Sequence, residues 1–142
     1  MKNITRYISD YEYESVNESG NVVKMDMYPP DQKKHQSPTQ LVLSAISACA
    51  AVDLVQMLKK RRKTVVDLAI ETIGNRRTEA PKAFTDITMN FILTSPDTSE
   101  PELFKLVKLA VDKYCSVSES LKGKVKIDYK CEVKDIIQEN PL

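Results

Sequence analysis

The sequence predicts an α+β fold in which antiparallel strand hairpins surround one buried central helix. Three observations carry that prediction. The stretch from Ser37 to Lys63 reads as a long helix, apolar or small on every side between Leu41 and Val52 apart from Ser44 and Ser47. Segments before and after it alternate apolar and polar residues about turn-forming stretches, the period-two signature of strand hairpins. A second helical pattern starts at Ser99, and an alternating segment follows it. The order hairpin, helix, hairpin, helix, strand, with no internal repeat, is that of an α+β domain.

The first strand is expected over residues 3–14, ITRYISDYEYES, with Ile4, Arg6, Ile8 and Asp10 on one side and Tyr7, Tyr11 and Tyr13 on the other. The turn ESGN, with Gly20, leads to NVVKMDMY, whose alternation completes a hairpin. YPPDQKKHQ has two prolines and no period, so it is a loop; its histidine, His35, reads as solvent-facing. The helix start is well marked. Ser37 can cap, Pro38 sits where a missing N–H costs nothing, and Gln40 completes a Ser-x-x-Gln capping box. The uninterrupted apolar run reads as too short for a bilayer, with Asp53 and Gln56 following it. Lys59 to Lys63 place positive charge at the carbonyl end of the helix dipole.

VVDLAIETIGNRR alternates Val66, Leu68 and Ile70 with Asp67 and Glu71, and Gly74 is expected to mark its bend or end. TEAPK is a turn, and AFTDITMNFIL sets Ile87, Met89, Phe91 and Leu93 on one face. Ser99 can cap a second helix with Glu102 three residues on. Along it Leu103, Leu106, Val107, Ala110, Val111 and Tyr114 recur at helical spacing. SVSESLKG reads as a short extra helix closed by Gly123, and KVKIDYKCEV as a half-buried strand.

At 142 residues the chain, 1–142, suits a single domain. A net charge of +1 provides no field for nucleic acid or an anionic membrane, and no signal peptide is visible, so the expected setting is cytoplasmic. An apolar helix this exposed to cover also calls for a homodimer, because two hairpins and one amphipathic helix supply little surface to enclose it. Three cysteines, an odd number, do not make a disulfide framework, and one histidine without Cys-x-x-Cys offers no metal spacing. Cys131, on the apolar face of the last strand, reads as a structural hydrophobe. Cys49 alone could be either packing or chemistry. Cys115 stands between the second helix and SVSES, whose free N–H groups could lower its pKa, and a thiol at such a junction is expected to be reachable. Asp53, one turn after Cys49, either faces solvent near the polar end of the helix or would oppose thiolate formation unless a cation from the same or the partner chain pairs with it, Arg6 or one of Arg76 and Arg77.

The pair SPTQLVLSAISACAAVDLVQMLKKRR and DKYCSVSESL, with the APKAF turn between them, resembles the OsmC/Ohr family of thiol-dependent peroxidases over nearly the whole chain. The resemblance implies an intertwined homodimer with active sites at the subunit interface. It assigns Cys49 as the peroxidatic cysteine and Cys115 as the resolving cysteine, acting on organic hydroperoxides or hydrogen peroxide. It implies an external dithiol reductant and no bound metal or organic cofactor. The sequence departs from the family pattern at two places. Where characterised members carry a glutamate after the helix-opening proline, this chain has Thr39, followed by the neutral Gln40. The family's N-terminal arginine has no alignable counterpart, Arg6 being the one arginine before residue 37. The resemblance is thus to a divergent branch, and the competing expectation is a dimer that binds a small hydrophobic ligand or acts as a thiol sensor.

Overall fold

The computed structural model describes residues 1–136, which fall into two compact units, residues 1–42 and residues from 43 onward. Each is described separately.

The first unit is a three-stranded antiparallel meander, β1 (Asn3–Ser9), β2 (Glu12–Asn17) and β3 (Val22–Asp26), with β2 in the middle. The single strand expected over 3–14 is therefore two. The register slips between Tyr7 and Ser9, and the chain reverses at Asp10 and Tyr11, where the Tyr7 hydroxyl donates to Asp10 Oδ1 at 2.9 Å. A turn built on an aspartate side chain carries no glycine or proline to announce it. The second turn falls where ESGN places it, with Gly20 at φ +83 and Asn17 Oδ1 accepting from Ser19 and Asn21 N–H.

Asp26 organises the loop that follows. Its side chain is wholly buried; Oδ1 accepts from Lys33 Nζ at 2.9 Å, and Oδ2 accepts from Lys34 and His35 N–H at 2.8 and 2.7 Å. Burial pushes this carboxyl up, but the hydrogen bonds from Lys33, Lys34 and His35 and the Lys33 charge outweigh it and hold the group at about 2. The loop delivers the chain to Ser37, and the capping box forms reciprocally: Ser37 N–H donates to Gln40 Oε1 (2.9 Å) and Gln40 N–H to Ser37 Oγ (3.3 Å). His35 is not left to solvent alone; its Nε2 lies 3.5 Å from Glu12 Oε1.

Helix α1 (Pro38–Lys60) leads into the second unit. Its end is a Schellman motif: Lys63 N–H donates to Leu58 O, Arg62 N–H donates to Lys59 O, and Arg62 stands at φ 59 where glycine is usual. The basic run also anchors this end, because Lys63 Nζ lies 3.1 Å from Glu102 and Arg61 Nη1 lies 3.9 Å from it.

The sheet of this unit has the order β4 (Asp67–Arg76), β5 (Phe84–Thr94), β6 (Lys126–Lys134). β4 and β5 form the expected hairpin, while β6 pairs parallel to β5. That parallel pairing requires a crossover, made by α2 (Glu100–Leu109), a π-turn (Ala110–Tyr114) and α3 (Ser116–Leu121). Ser99 caps α2 as expected, its hydroxyl accepting from Glu102 N–H. Because β5 is central, Ile87, Met89, Phe91 and Leu93 are fully buried, and α2 adds Leu103, Leu106 and Val107 to the same core.

Gly74 lies inside β4, not at its end. It pairs with Ile87, and a Cβ there would come within 2.5 Å of the Phe84 ring and 2.9 Å of Leu43. The glycine admits a close approach of helix and ring to the strand.

Two expectations about α1 are corrected. Among the described residues of α1 one stripe is fully buried, Ile46, Ala50, Leu54 and Leu58 at a spacing of four, whereas Ala45, Ala48 and Val52 are exposed. One sheet with α2 covers one flank of a helix. Nor is α1 too short to cross a bilayer: its 23 residues would extend about 35 Å, and it is apolar enough by composition, since the apolar pattern resumes after Asp53 with Leu54, Val55, Met57 and Leu58. Its packing favours a core helix, because the buried stripe joins the same cluster as β5 and α2.

Candidate functional site

The site lies where α1 meets the π-turn, and local sequence explains both partners. Cys49 follows Ile46 by three residues and precedes Ala50 by one, so it sits on the flank of the buried stripe and is half-buried against the core. Ser47, on the neighbouring flank, donates to Leu43 O at 2.7 Å and shares a hydrogen bond with Thr72 on β4, which accounts for a serine in an apolar helix.

Cys115 is placed by an irregularity. An α-helical continuation of Leu103, Leu106, Val107, Ala110 and Val111 would bring Tyr114 inward. The wider π-turn shifts the stripe, so Tyr114 is exposed and Cys115 is only 2% exposed. The expectation of a reachable Cys115 is thus overturned; Cys49 is the more accessible of the two thiols.

The Cys115 sulfur is held from three sides. It caps α3, accepting from Ser118 N–H at 3.4 Å, and its thiol points at the Ile46 carbonyl, 3.9 Å away. Cys49 is the third neighbour, close enough that its side chain acts on the ionisation of Cys115. Burial raises the Cys115 pKa, Ser118 pulls it down through its side chain and N–H, and Cys49 pushes it up again. The expected effect of the α3 N–H groups is present, but desolvation outweighs it. The Ser118 hydroxyl is buried and has no hydrogen-bond partner among the described residues. Sequence reading missed this residue, although its place three positions after the capping cysteine was the available signal. Ser118 also lines a cavity of about 400 Å³ together with Val111, Val125 and Ile127.

Cys131 lies half-buried on β6, in register with Phe91, and burial followed by the charge of Glu100 raises its pKa. The ion pairs among the described residues leave Asp53 out, and Arg77 instead donates through Nε to Pro81 O in the hairpin turn. Within one chain, then, neither Arg76 nor Arg77 forms an ion pair with Asp53 among the described residues. Thr39 Oγ1 and Ser37 Oγ share a hydrogen bond at 3.3 Å, and Gln40 is engaged in the cap. No group of three or more His, Cys, Asp or Glu side chains suited to a metal ion occurs among the described residues.

The comparisons with known proteins agree with this architecture. A relative from Escherichia coli K12, Protein YhfA, is 39% identical over 115 residues, spanning 81% of this chain and 84% of that one. The crystal structure of an OsmC-like protein from Mycoplasma pneumoniae superposes with a TM-score of 0.81 at 19% identity, covering 93% of this chain and 95% of that one. The Organic Hydroperoxide Resistance Protein OhrB of Bacillus subtilis superposes with a TM-score of 0.65 at 17% identity, covering 93% and 98%. At those identities the two structures establish a shared fold. The family profile described as OsmC-like protein matches residues 31–130, a span that holds both Cys49 and Cys115, and the chain belongs to that family.

Proposed function

We propose that the protein is a thiol-dependent peroxidase that reduces organic hydroperoxides or hydrogen peroxide, with Cys49 as the peroxidatic and Cys115 as the resolving cysteine. One observation carries the reading: the Cys115 thiol at the head of α3 donates to the Ile46 carbonyl, one turn before Cys49 on α1, so two thiols far apart in sequence are neighbours, and Cys49 acts on the ionisation of Cys115. The hydroperoxide-resistance title of a structural neighbour supports the same chemistry.

The Cys49 thiolate attacks the terminal peroxide oxygen, the O–O bond breaks, and the alkoxide leaves as alcohol after taking a proton. Cys49 is then a sulfenic acid. Cys115 loses its proton and attacks the Cys49 sulfur, hydroxide leaves as water, and a disulfide joins the two. An external dithiol reduces that disulfide and is itself oxidised, so the cycle uses no metal or bound organic cofactor. The more accessible Cys49 is suited to meet peroxide, and the enclosed Cys115 is suited to act only on its neighbour. The reading includes a cytoplasmic homodimer, without nucleic-acid or membrane partners, in which the exposed side of α1 at Ala45, Ala48 and Val52 is covered by a second copy.

A second reading is a thiol sensor or a small-ligand-binding dimer. Thr39 favours it, because the position where hydroperoxide reductases keep a glutamate is neutral and hydrogen-bonded to the helix cap. Peroxide consumption with excess dithiol separates them. Repeated turnover that Cys49→Ser abolishes supports the peroxidase, a single oxidation per chain supports the sensor, and an unreactive Cys49 supports the binding module.

A further inference from the structure

Resting on the reading of Cys115 as the resolving cysteine, we propose that Ser118 is its positioning residue: the Ser118 hydroxyl is held in reserve to donate to the Cys115 thiolate at the moment it attacks Cys49. Three observations point to this. The Ser118 hydroxyl oxygen is buried and unpartnered among the described residues of the resting protein, a state that native structures rarely leave unexplained. Its own backbone N–H already donates to Cys115 Sγ at 3.4 Å, which fixes the serine beside that sulfur. The side chain acts on Cys115 in the direction that favours the ionised form.

A neutral thiol is a weak acceptor and leaves the hydroxyl without a bond, whereas a thiolate is a strong one. Ionisation therefore converts an orphaned donor into a charge-assisted hydrogen bond at a cysteine that is nearly buried. The need for such a donor is local. The other groups at this sulfur among the described residues are the Ile46 carbonyl, an acceptor, and Cys49, which disfavours the thiolate; no charged side chain acts on Cys115. In the step served, the Cys115 S–H proton is released, the Cys115–Cys49 S–S bond forms, the Cys49 S–O bond breaks, and the oxygen leaves as water. Ser118 gives a hydrogen bond and exchanges no atom.

The test uses the full chain with Cys49→Ser and Cys131→Ser, so that Cys115 is the one thiol, and follows thiolate absorbance and alkylation against pH. Ser118→Ala should move the midpoint up by about one pH unit, and Ser118→Thr should restore it. Comparing Ser118→Thr with Ser118→Val, which share a shape, keeps the test valid if the alanine variant folds poorly. A midpoint that is the same with and without the hydroxyl overturns the proposal and assigns the serine to the adjoining cavity. In the chain retaining all three cysteines, Ser118→Val should lengthen the life of the Cys49 sulfenic acid about tenfold while leaving its rate of formation unchanged. If Cys49 forms no sulfenic acid at all, the peroxidase reading fails, but the midpoint shift still decides the role of Ser118.

Discussion

The Cys115 thiol donates to the main-chain carbonyl of Ile46, 3.9 Å away on a helix remote in sequence. Ile46 lies one turn before Cys49, so this contact fixes the second cysteine against the first through backbone, independently of what the first cysteine's side chain does. It also means that the resting Cys115 is a buried, protonated donor.

Disulfide formation should therefore be pH-dependent. With the Cys115 pKa raised by burial, the thiolate fraction at neutral pH is small and grows about tenfold per pH unit until that pKa is passed. The rate at which a Cys49 sulfenic acid is consumed should climb accordingly between pH 7 and 9. Quenching with a sulfenic-acid trap and mass analysis measures it; a flat rate would contradict the assignment of Cys115.

Alkylation of the native protein should mark Cys49 first, by about tenfold or more over Cys115 and Cys131, because both of the latter are raised by burial and Cys115 is nearly sealed. Peptide mapping after a brief exposure to iodoacetamide reads the order, and early labelling of Cys115 would refute it.

Arg62→Gly should stabilise the fold by about 0.5–1 kcal/mol, since a residue with a Cβ occupies the left-handed position of the α1 Schellman motif. Arg62 makes no ion pair among the described residues, so little is lost with its side chain. Denaturant titration gives the difference.

Gly74→Ala should cost about 1–3 kcal/mol, because its methyl group would meet both Phe84 and Leu43 inside contact distance. The double variant Gly74→Ala, Phe84→Leu should recover part of the loss if the ring is the obstacle.

Asp26 should govern acid stability of the loop before α1. A carboxyl whose folded pKa is lowered to about 2 contributes stability above its unfolded value, about 3.9, and loses it as pH falls through 2. Asp26→Asn should thus melt below the wild type at pH 7 and match it near pH 2. An unchanged gap across that range would exclude the carboxylate as the cause.

What the sequence determined by itself was local. The reciprocal cap of Ser37 and Gln40, the cap of Ser99, the alternating face of β5 and the exposed face of β6 are short-range patterns, fixed by hydrogen-bond reach within one turn and by the two-residue period of a strand. The motif pair around Cys49 and Cys115 carried the family for the same reason, since motifs are contiguous. Tertiary structure decided the rest. β6 lies parallel to β5 because the crossover returns the chain in that direction, and an alternating strand looks alike in either orientation. Gly74 sits mid-strand because a helix side chain and a ring from the next strand converge on it. The burial of Cys115 was hidden longest: one π-turn rotates it past Tyr114 into the core, and such a turn leaves no mark in a helical pattern until the neighbours that hold it are assembled.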